Sequence, residues 1–183
     1  VTELRTPGKP ERDPESCGQC HEPHGKNPLY KAQLSLANKL VFSKWREGLG
    51  GNMQVVVSGG AALQARLSRV FTAARIPVLE GYGLTETSPV IAVSTFERHG
   101  RKFGTVGPVL KNLDVKIAPD GEICVKGPSV FQGYFRQADM TAEAIDKEGY
   151  FHTGDLGKFE AEGQLKITGR KKEIFKTSGG KYI

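Results

Sequence analysis

Apolar residues recur along residues 29–49 at Tyr30, Leu34, Ala37, Val41 and Trp45, a spacing that places them on one face of a helix. Lys39, Lys44, Arg46 and Glu47 take the other sides, and Leu49-Gly50-Gly51-Asn52 ends the element, with glycine as its C-terminal cap. The pattern then shortens. Met53-Gln54-Val55-Val56-Val57 is a β-branched run bounded by glycine and predicts a buried strand. It enters Ser58-Gly59-Gly60-Ala61-Ala62, after which Leu63, Leu67, Val70, Phe71 and Ala74 mark a second amphipathic helix. Ile76-Pro77-Val78-Leu79 predicts another short buried strand and completes a strand–turn–helix–strand unit of the parallel α/β type. Val90-Ile91-Ala92-Val93 predicts one strand more.

Beyond a loop fixed by Gly104, Gly107 and Pro108 the period falls to two. Leu113, Val115 and Ile117 alternate with Asp114 and Lys116, Asp120-Gly121 turns the chain, and Glu122–Lys126 returns, which is a β-hairpin signal. A short helix is expected over 138–145, and strands over 156–160 and 164–168. Tyr150-Phe151-His152-Thr153-Gly154-Asp155 is expected as a turn between strands. The fold class is therefore α/β: a parallel α/β layer over 29–108, then a small antiparallel β subdomain over 109–168. Residues 169–183 are read as a connection into something further. Residues 1–28, with Pro7, Pro10, Pro14, Pro23 and Pro28 among many charges, cannot bury a core and read as loop or disorder.

Composition adds bounds. Hydrophobic residues make up 38% and charged residues 25%, as in an ordinary soluble globular protein of 183 residues. The net charge of +6 permits an anionic partner. No aromatic–basic stripe of the kind single-strand binders use is present, so no nucleic acid is expected. Instead Arg170, Lys171, Lys172, Lys176 and Lys181 lie late among glycines, which suits a small anionic ligand. No apolar run is long enough to span a bilayer. The start carries neither a signal pattern nor an initiator Met, so a fragment or processed piece is expected. Three cysteines, one of them Cys124 inside a strand pattern, do not suggest a disulfide framework, and a reducing cytoplasmic setting fits. Cys17-Gly18-Gln19-Cys20-His21, with His24, has the spacing of a c-type haem attachment site or part of a zinc set. A polar surface segment is the preferred reading of it.

The chemistry gathers at strand ends. In open α/β sheets ligands collect beyond the C-terminal ends of strands. Ser58-Gly59-Gly60 and Gly81-Tyr82-Gly83-Leu84-Thr85-Glu86-Thr87 both lie just past such ends. Their glycines let backbone approach a ligand, Thr85 can offer a hydroxyl to a phosphate, and Glu86 a carboxylate to Mg²⁺. Asp155 can accept two hydrogen bonds from a vicinal diol such as a ribose, and Arg170 suits fork-like contact with phosphate or ribose oxygens. Each has a plain counterpart: a packing turn, a turn aspartate, a solvated basic loop. His152 reads as a packed or surface histidine.

The ordered set is more specific than its parts. Ser58-Gly59-Gly60-Ala61, Gly81–Glu86, Gly121-Glu122-Ile123 through Gly133-Tyr134, Phe151–Asp155 and Gly169-Arg170-Lys171-Lys172 follow one another in the chain. Together they closely resemble the acyl-adenylate-forming superfamily of acyl-CoA synthetases, adenylation domains and luciferases. Lys39–Lys44 and Phe175–Ile183 look specifically like long-chain fatty-acid–CoA ligases. The resemblance covers about 29–183 and leaves the Cys/His segment outside.

It implies part of a large adenylate-forming domain, a small antiparallel β-barrel-like subdomain and the start of a C-terminal α+β domain. It also implies ATP-dependent formation of an acyl-AMP, with release of pyrophosphate, then transfer of the acyl group to CoA. By motif matching, Ser58, Gly59, Gly60 and Ala61 would line the adenine and acyl pocket, with Tyr82 near adenine between Gly81 and Gly83. Thr85 would contact the α-phosphate and Glu86 would hold Mg²⁺. Asp155 and Arg170 would bind the ribose, and Lys172 would be a hinge. Fatty acid, ATP and CoA are the expected substrates; membrane association and oligomeric state are left open. The family's phosphate-binding loop and catalytic lysine match nothing between residues 1 and 183, so the chain by itself is expected to catalyse little. The alternatives are a non-catalytic nucleotide-binding module of the same fold and a medium-chain or aromatic-acid ligase.

Overall fold

The computed structural model describes residues 27–97 and 99–171. Cys17, Cys20, His21, His24 and Lys172, and the readings placed on them, lie outside the described residues. The first element is helical as expected. It runs as α1 (Pro28–Ala37), a π-helical segment (Asn38–Phe42) and α2 (Ser43–Gly48). Asn27 caps it, its side chain accepting from Leu29 N at 3.0 Å, and Pro28 occupies the first turn, where its missing N–H costs nothing. The expected apolar face is not buried: Tyr30, Val41 and Trp45 are all exposed. The helix is tied to the remainder through Arg46, whose Nη1 donates to Ala74 O at 2.6 Å.

β1 (Val56–Ser58) leads to α3 (Ala65–Ala73) and β2 (Val78–Gly83), and β1 and β2 pair in parallel as the pattern predicts. β1 is shorter and less buried than expected, with Val57 mostly exposed, because it is an edge strand paired on one side only. β3 (Val90–Val93) then pairs antiparallel with β2 and completes a three-stranded sheet in the order β1-β2-β3.

The second sheet is antiparallel and five-stranded, in the order β4-β8-β7-β6-β5. Its strands are β4 (Gly107–Pro108), β5 (Asp114–Ile117), β6 (Glu122–Lys126), β7 (Phe151–Phe159) and β8 (Gln164–Arg170). The β5–β6 hairpin turns at Asp120-Gly121 as expected, Gly121 taking φ +87°. Between β6 and β7 stands the short helix α4 (Ala138–Ala144). Two expectations change here. Phe151–Asp155 is strand rather than turn, because β7 pairs with β6 and with β8 along its length. β8 continues through Arg170, carried there by the pairing of Arg170 with Asp155.

The core lies where the sheets meet. Ile91 and Ala92 of β3 pack with Val106, with Ile123 and Val125 of β6, and with Leu165 of β8. Leu110 N donates to Ile91 O at 2.9 Å, so the junction is hydrogen-bonded as well as apolar. Burial of the Ile, Val and Leu side chains among these stabilises by about 1.5–3 kcal/mol each. Among the described residues no helix is long and apolar enough to cross a membrane.

Candidate functional site

The C-terminal end of β2 faces β7 and β8 across a cleft of about 760 Å³. Ser58, Gly60, Ala61, Gly81, Tyr82, Gly83, Thr85, Glu86, Asp155 and Arg170 all line it. Gly59 is not among its lining residues; it lies beside β2, where an added Cβ would make ordinary contact with Gly81 O at 3.6 Å. The sequence motifs, far apart in the chain, therefore meet in one place. They arrive from two sheets, which explains why no single stretch of sequence carries the site.

Two glycines are required by geometry. Gly60 has φ +79°, a left-handed conformation that side chains resist. Gly83 has no room for a side chain: an added Cβ would meet Pro89 C at 2.6 Å and Val90 Cα at 2.9 Å, and Pro89 O closer still. β2 and β3 pass this closely where their register shifts, between Tyr82 and Gly83. A single 3₁₀ turn, Thr85–Thr87, follows. Thr87, fully buried, staples it: its Oγ1 accepts from Leu84 N at 3.1 Å and donates to Pro89 O at 2.6 Å. That leaves Thr85 exposed at the cleft and Glu86 half-buried beside it. Glu86 is fixed twice. Its Oε1 accepts from Tyr134 Oη at 3.1 Å, and its backbone O accepts from Phe131 N at 2.8 Å.

At the other end Tyr82 Oη donates to Asp155 Oδ2 at 2.8 Å, and Arg170 Nε lies 3.5 Å from Asp155 Oδ1. Burial, followed by the neighbouring Asp155 carboxylate, raises the Tyr82 pKa well above that of a free phenol, so the hydroxyl remains a donor; contacts with Thr153 and Arg170 oppose the rise without cancelling it. Asp155 is thereby an oriented acceptor with a cation beside it. It belongs to a strand, and the Asp155–Arg170 pairing across β7 and β8 sets the two side chains at one level of the sheet.

Glu80, Thr87 and Tyr134 were given no role by sequence reasoning. Glu80 lines the cleft while almost wholly buried, accepting from Ser68 Oγ at 3.3 Å. Burial raises its pKa, against hydrogen bonds from Ser68 and the Leu63 backbone and the charge of Arg101. A carboxylate at the end of the apolar run Val78-Leu79-Glu80 was the available signal. Thr87 and Tyr134 carried none, since their roles depend on contacts with Pro89 and Glu86. His152 is a packed residue, as expected, hydrogen-bonded through Nδ1 to Glu122 at 3.0 Å.

Comparison with known proteins places the chain among relatives of one kind. A family profile described as AMP-binding enzyme matches residues 22–135. A long-chain-fatty-acid–CoA ligase, FadD15, of Mycobacterium bovis is 46% identical over 159 residues, covering 87% of this chain and 26% of that protein. Long chain acyl-CoA synthetase 3 of Arabidopsis thaliana is 38% identical over 179 residues, covering 89% of this chain and 26% of that protein. Among solved structures, ATP-bound MatB from Rhodopseudomonas palustris superposes with a TM-score of 0.64 at 35% identity, over 73% of this chain and 28% of that one. O-succinylbenzoate coenzyme A synthetase from Bacillus subtilis, in complex with ATP and magnesium ion, gives 0.61 at 31% identity, over 71% and 29%. The chain spans about a quarter of the length of the curated relatives it matches.

Proposed function

Because the chain belongs to the AMP-binding enzyme family, we propose that it forms the nucleotide-binding face of an ATP-dependent fatty-acid–CoA ligase. The whole protein would join a carboxylate to ATP, releasing pyrophosphate, and pass the acyl group from the adenylate to CoA. One observation carries this reading. Two glycine-bearing strand ends, an exposed hydroxyl, two fixed carboxylates and a guanidinium converge on one cleft of nucleotide size. The long-chain class is favoured by the names of the curated relatives.

Asp155 would accept from the ribose hydroxyls, held in place by Tyr82 and accompanied by the Arg170 cation. Thr85 would donate its hydroxyl to the α-phosphate. The backbone around Gly60, which is open and left-handed, would admit the base without a side chain in the way. The donor set at the Thr85–Glu86 end consists of oxygens, as a hard cation such as Mg²⁺ requires, and the second oxygen of Glu86 is clear of the Tyr134 bond. When bound, Mg²⁺ would supply charge neutralisation on the phosphates. Lys172 keeps its proposed place as the hinge, on the resemblance alone.

The test is equilibrium binding of AMP and of ATP with Mg²⁺ to the 183-residue chain, by titration calorimetry. Binding that falls at least tenfold in Asp155→Ala is the expected result. Absence of any nucleotide binding by the wild type would refute the reading. For the whole protein, palmitate-dependent exchange of pyrophosphate into ATP checks the first half-reaction.

A further inference from the structure

A second polar cluster stands outside the cleft, centred on the buried carboxylate of Glu122 in β6. Both oxygens are engaged. Oε1 accepts from Gly154 N at 2.8 Å, and Oε2 accepts from His152 Nδ1 at 3.0 Å and from Lys171 Nζ at 3.1 Å. These partners stand at two critical places. Gly154 directly precedes Asp155 and takes φ +74°, so its amide points where an ordinary strand residue's would not. Lys171 directly follows Arg170. The β6–β7 register shifts between Glu122 and Cys124, and the Glu122 carboxylate spans that irregularity. Thr153 completes it, donating to Ile123 O at 2.8 Å and accepting from Asp155 N at 3.1 Å.

We propose that Glu122 is a positioning residue for the nucleotide site, its carboxylate locking the backbone before Asp155 and the strand end after Arg170 into one frame. The inference rests on the nucleotide reading of the Asp155–Arg170 end. It assigns Glu122 no contact with the ligand. A buried, charge-assisted anchor of this kind is what holds a binding side chain within a few tenths of an ångström of its working place. Removing it frees a left-handed glycine immediately beside the acceptor. Glu122, Cys124 and His152 also bring ligand atoms within 4.8 Å of one another. A metal ion is a poor fit there. Nδ1 of His152 and both Glu122 oxygens are taken, and the Lys171 ammonium, a cation itself, already pairs with Glu122 Oε2.

The experiment uses the 183-residue chain with Glu122→Gln and Glu122→Ala. Asp120→Asn is the control: it removes the charge of the other partner of Lys171 and keeps an amide oxygen that can accept from Glu122 N. Three quantities are read: the Kd for AMP, the Kd for inorganic pyrophosphate with Mg²⁺, and hydrogen exchange at the Gly154 amide. Glu122→Ala is expected to weaken AMP roughly tenfold or more, about 1.4 kcal/mol per decade, and to speed Gly154 exchange. Pyrophosphate, which has no ribose to meet Asp155, is expected to bind as before. Glu122→Gln, which keeps an acceptor for Gly154, should fall between wild type and Glu122→Ala, and it serves alone if the alanine variant fails to fold.

Unchanged AMP affinity and unchanged Gly154 exchange would overturn the proposal. So would equal losses for AMP and pyrophosphate, which mark a general structural role, or stoichiometric Zn²⁺ binding abolished by Glu122→Ala. A wild type that binds pyrophosphate but no AMP would end the nucleotide reading instead, and Gly154 exchange would then decide alone whether Glu122 holds the turn.

Discussion

Gly83→Ala tests the geometry on which the cleft depends. The added methyl would lie 2.6 Å from Pro89 C and 2.9 Å from Val90 Cα, with Pro89 O nearer. Ordinary carbon–carbon contact is at about 3.5–4.0 Å, so the backbones must part by roughly 1 Å to clear Pro89 C and by more to clear Pro89 O. Every opposing atom is backbone, so no rotamer change relieves the overlap. Overpacking typically costs about 1–3 kcal/mol, and a backbone-against-backbone case belongs at the upper end. Urea unfolding has slopes of about 1–3 kcal/mol/M for small proteins, so a loss near 3 kcal/mol lowers the midpoint by roughly 1–3 M. Gly154→Ala is the comparison. Gly154 has φ +74° and nothing within 4 Å of an added Cβ, so only backbone strain is introduced. That strain is worth about 1–2 kcal/mol. Urea titration followed by circular dichroism, with AMP binding measured alongside, separates the two. If Gly83→Ala unfolds at the wild-type midpoint, or loses less than Gly154→Ala, the close passage of β2 over Pro89 is wrong and the presentation of Thr85 and Glu86 falls with it.

Two further outcomes follow from the polar contacts. Tyr82→Phe removes the 2.8 Å bond to Asp155 and leaves that carboxylate, among the described residues, with Arg170 at 3.5 Å as its remaining side-chain partner. A hydrogen bond to a charged group contributes about 1.5–3 kcal/mol, so the melting temperature should drop by several degrees and AMP affinity should fall; no change in either would refute the role of Tyr82. Acid should act through Glu122. Burial alone would raise its pKa, but hydrogen bonds from His152, Lys171 and Gly154 N outweigh that and hold the carboxyl below its ordinary 4.5. A folded-state pKa below the unfolded one stabilises above the unfolded value and is lost as pH falls through the folded value. Unfolding free energy measured from pH 7 down to 3 should therefore fall below about pH 4.5 less steeply in Glu122→Gln than in wild type, and parallel curves would refute it.

Local pattern made much of this legible. Val90–Val93 occupies the strand its composition predicts, and the Asp120-Gly121 turn stands where the alternation reverses. The strand ends at Ser58 and Gly81 were readable because glycine beside an apolar run marks a place where backbone comes close to something. What could not be read depends on partners distant in the chain. Phe151–Asp155 contains two residues with poor strand propensity, Gly154 and Asp155, and is nevertheless a central strand because β6 and β8 hydrogen-bond it from both sides. The face of Tyr30, Val41 and Trp45 has the right period for a buried helix, yet period says nothing about whether a partner is present, and here it is exposed. Thr87 resembles its neighbour Thr85 in sequence and differs wholly in place: one hydroxyl is buried as a staple, the other presented.

The two ends of the cleft are supported by different physics. The Thr85–Glu86 end is set by steric exclusion at Gly83, by short-range bonds of Thr87 within the same turn, and by long-range hydrogen bonds to Glu86 from Tyr134 Oη and Phe131 N. None of those requires an ionised group except the acceptor Glu86 itself. The Asp155–Arg170 end rests on charge: Asp155 with Arg170, and Glu122 with Lys171. Charged anchors are directional and strong when buried, and they respond to protonation, whereas packed backbone does not. On the proposed reading, a ligand with a flexible polyphosphate at one end and a rigid ribose at the other would use this division. The phosphate end would tolerate some play because oxygens and water can rearrange around it. The ribose end would need an acceptor at a fixed spacing for two hydroxyls, and the proposed Glu122 frame would give Asp155 that fixity without crowding the cleft.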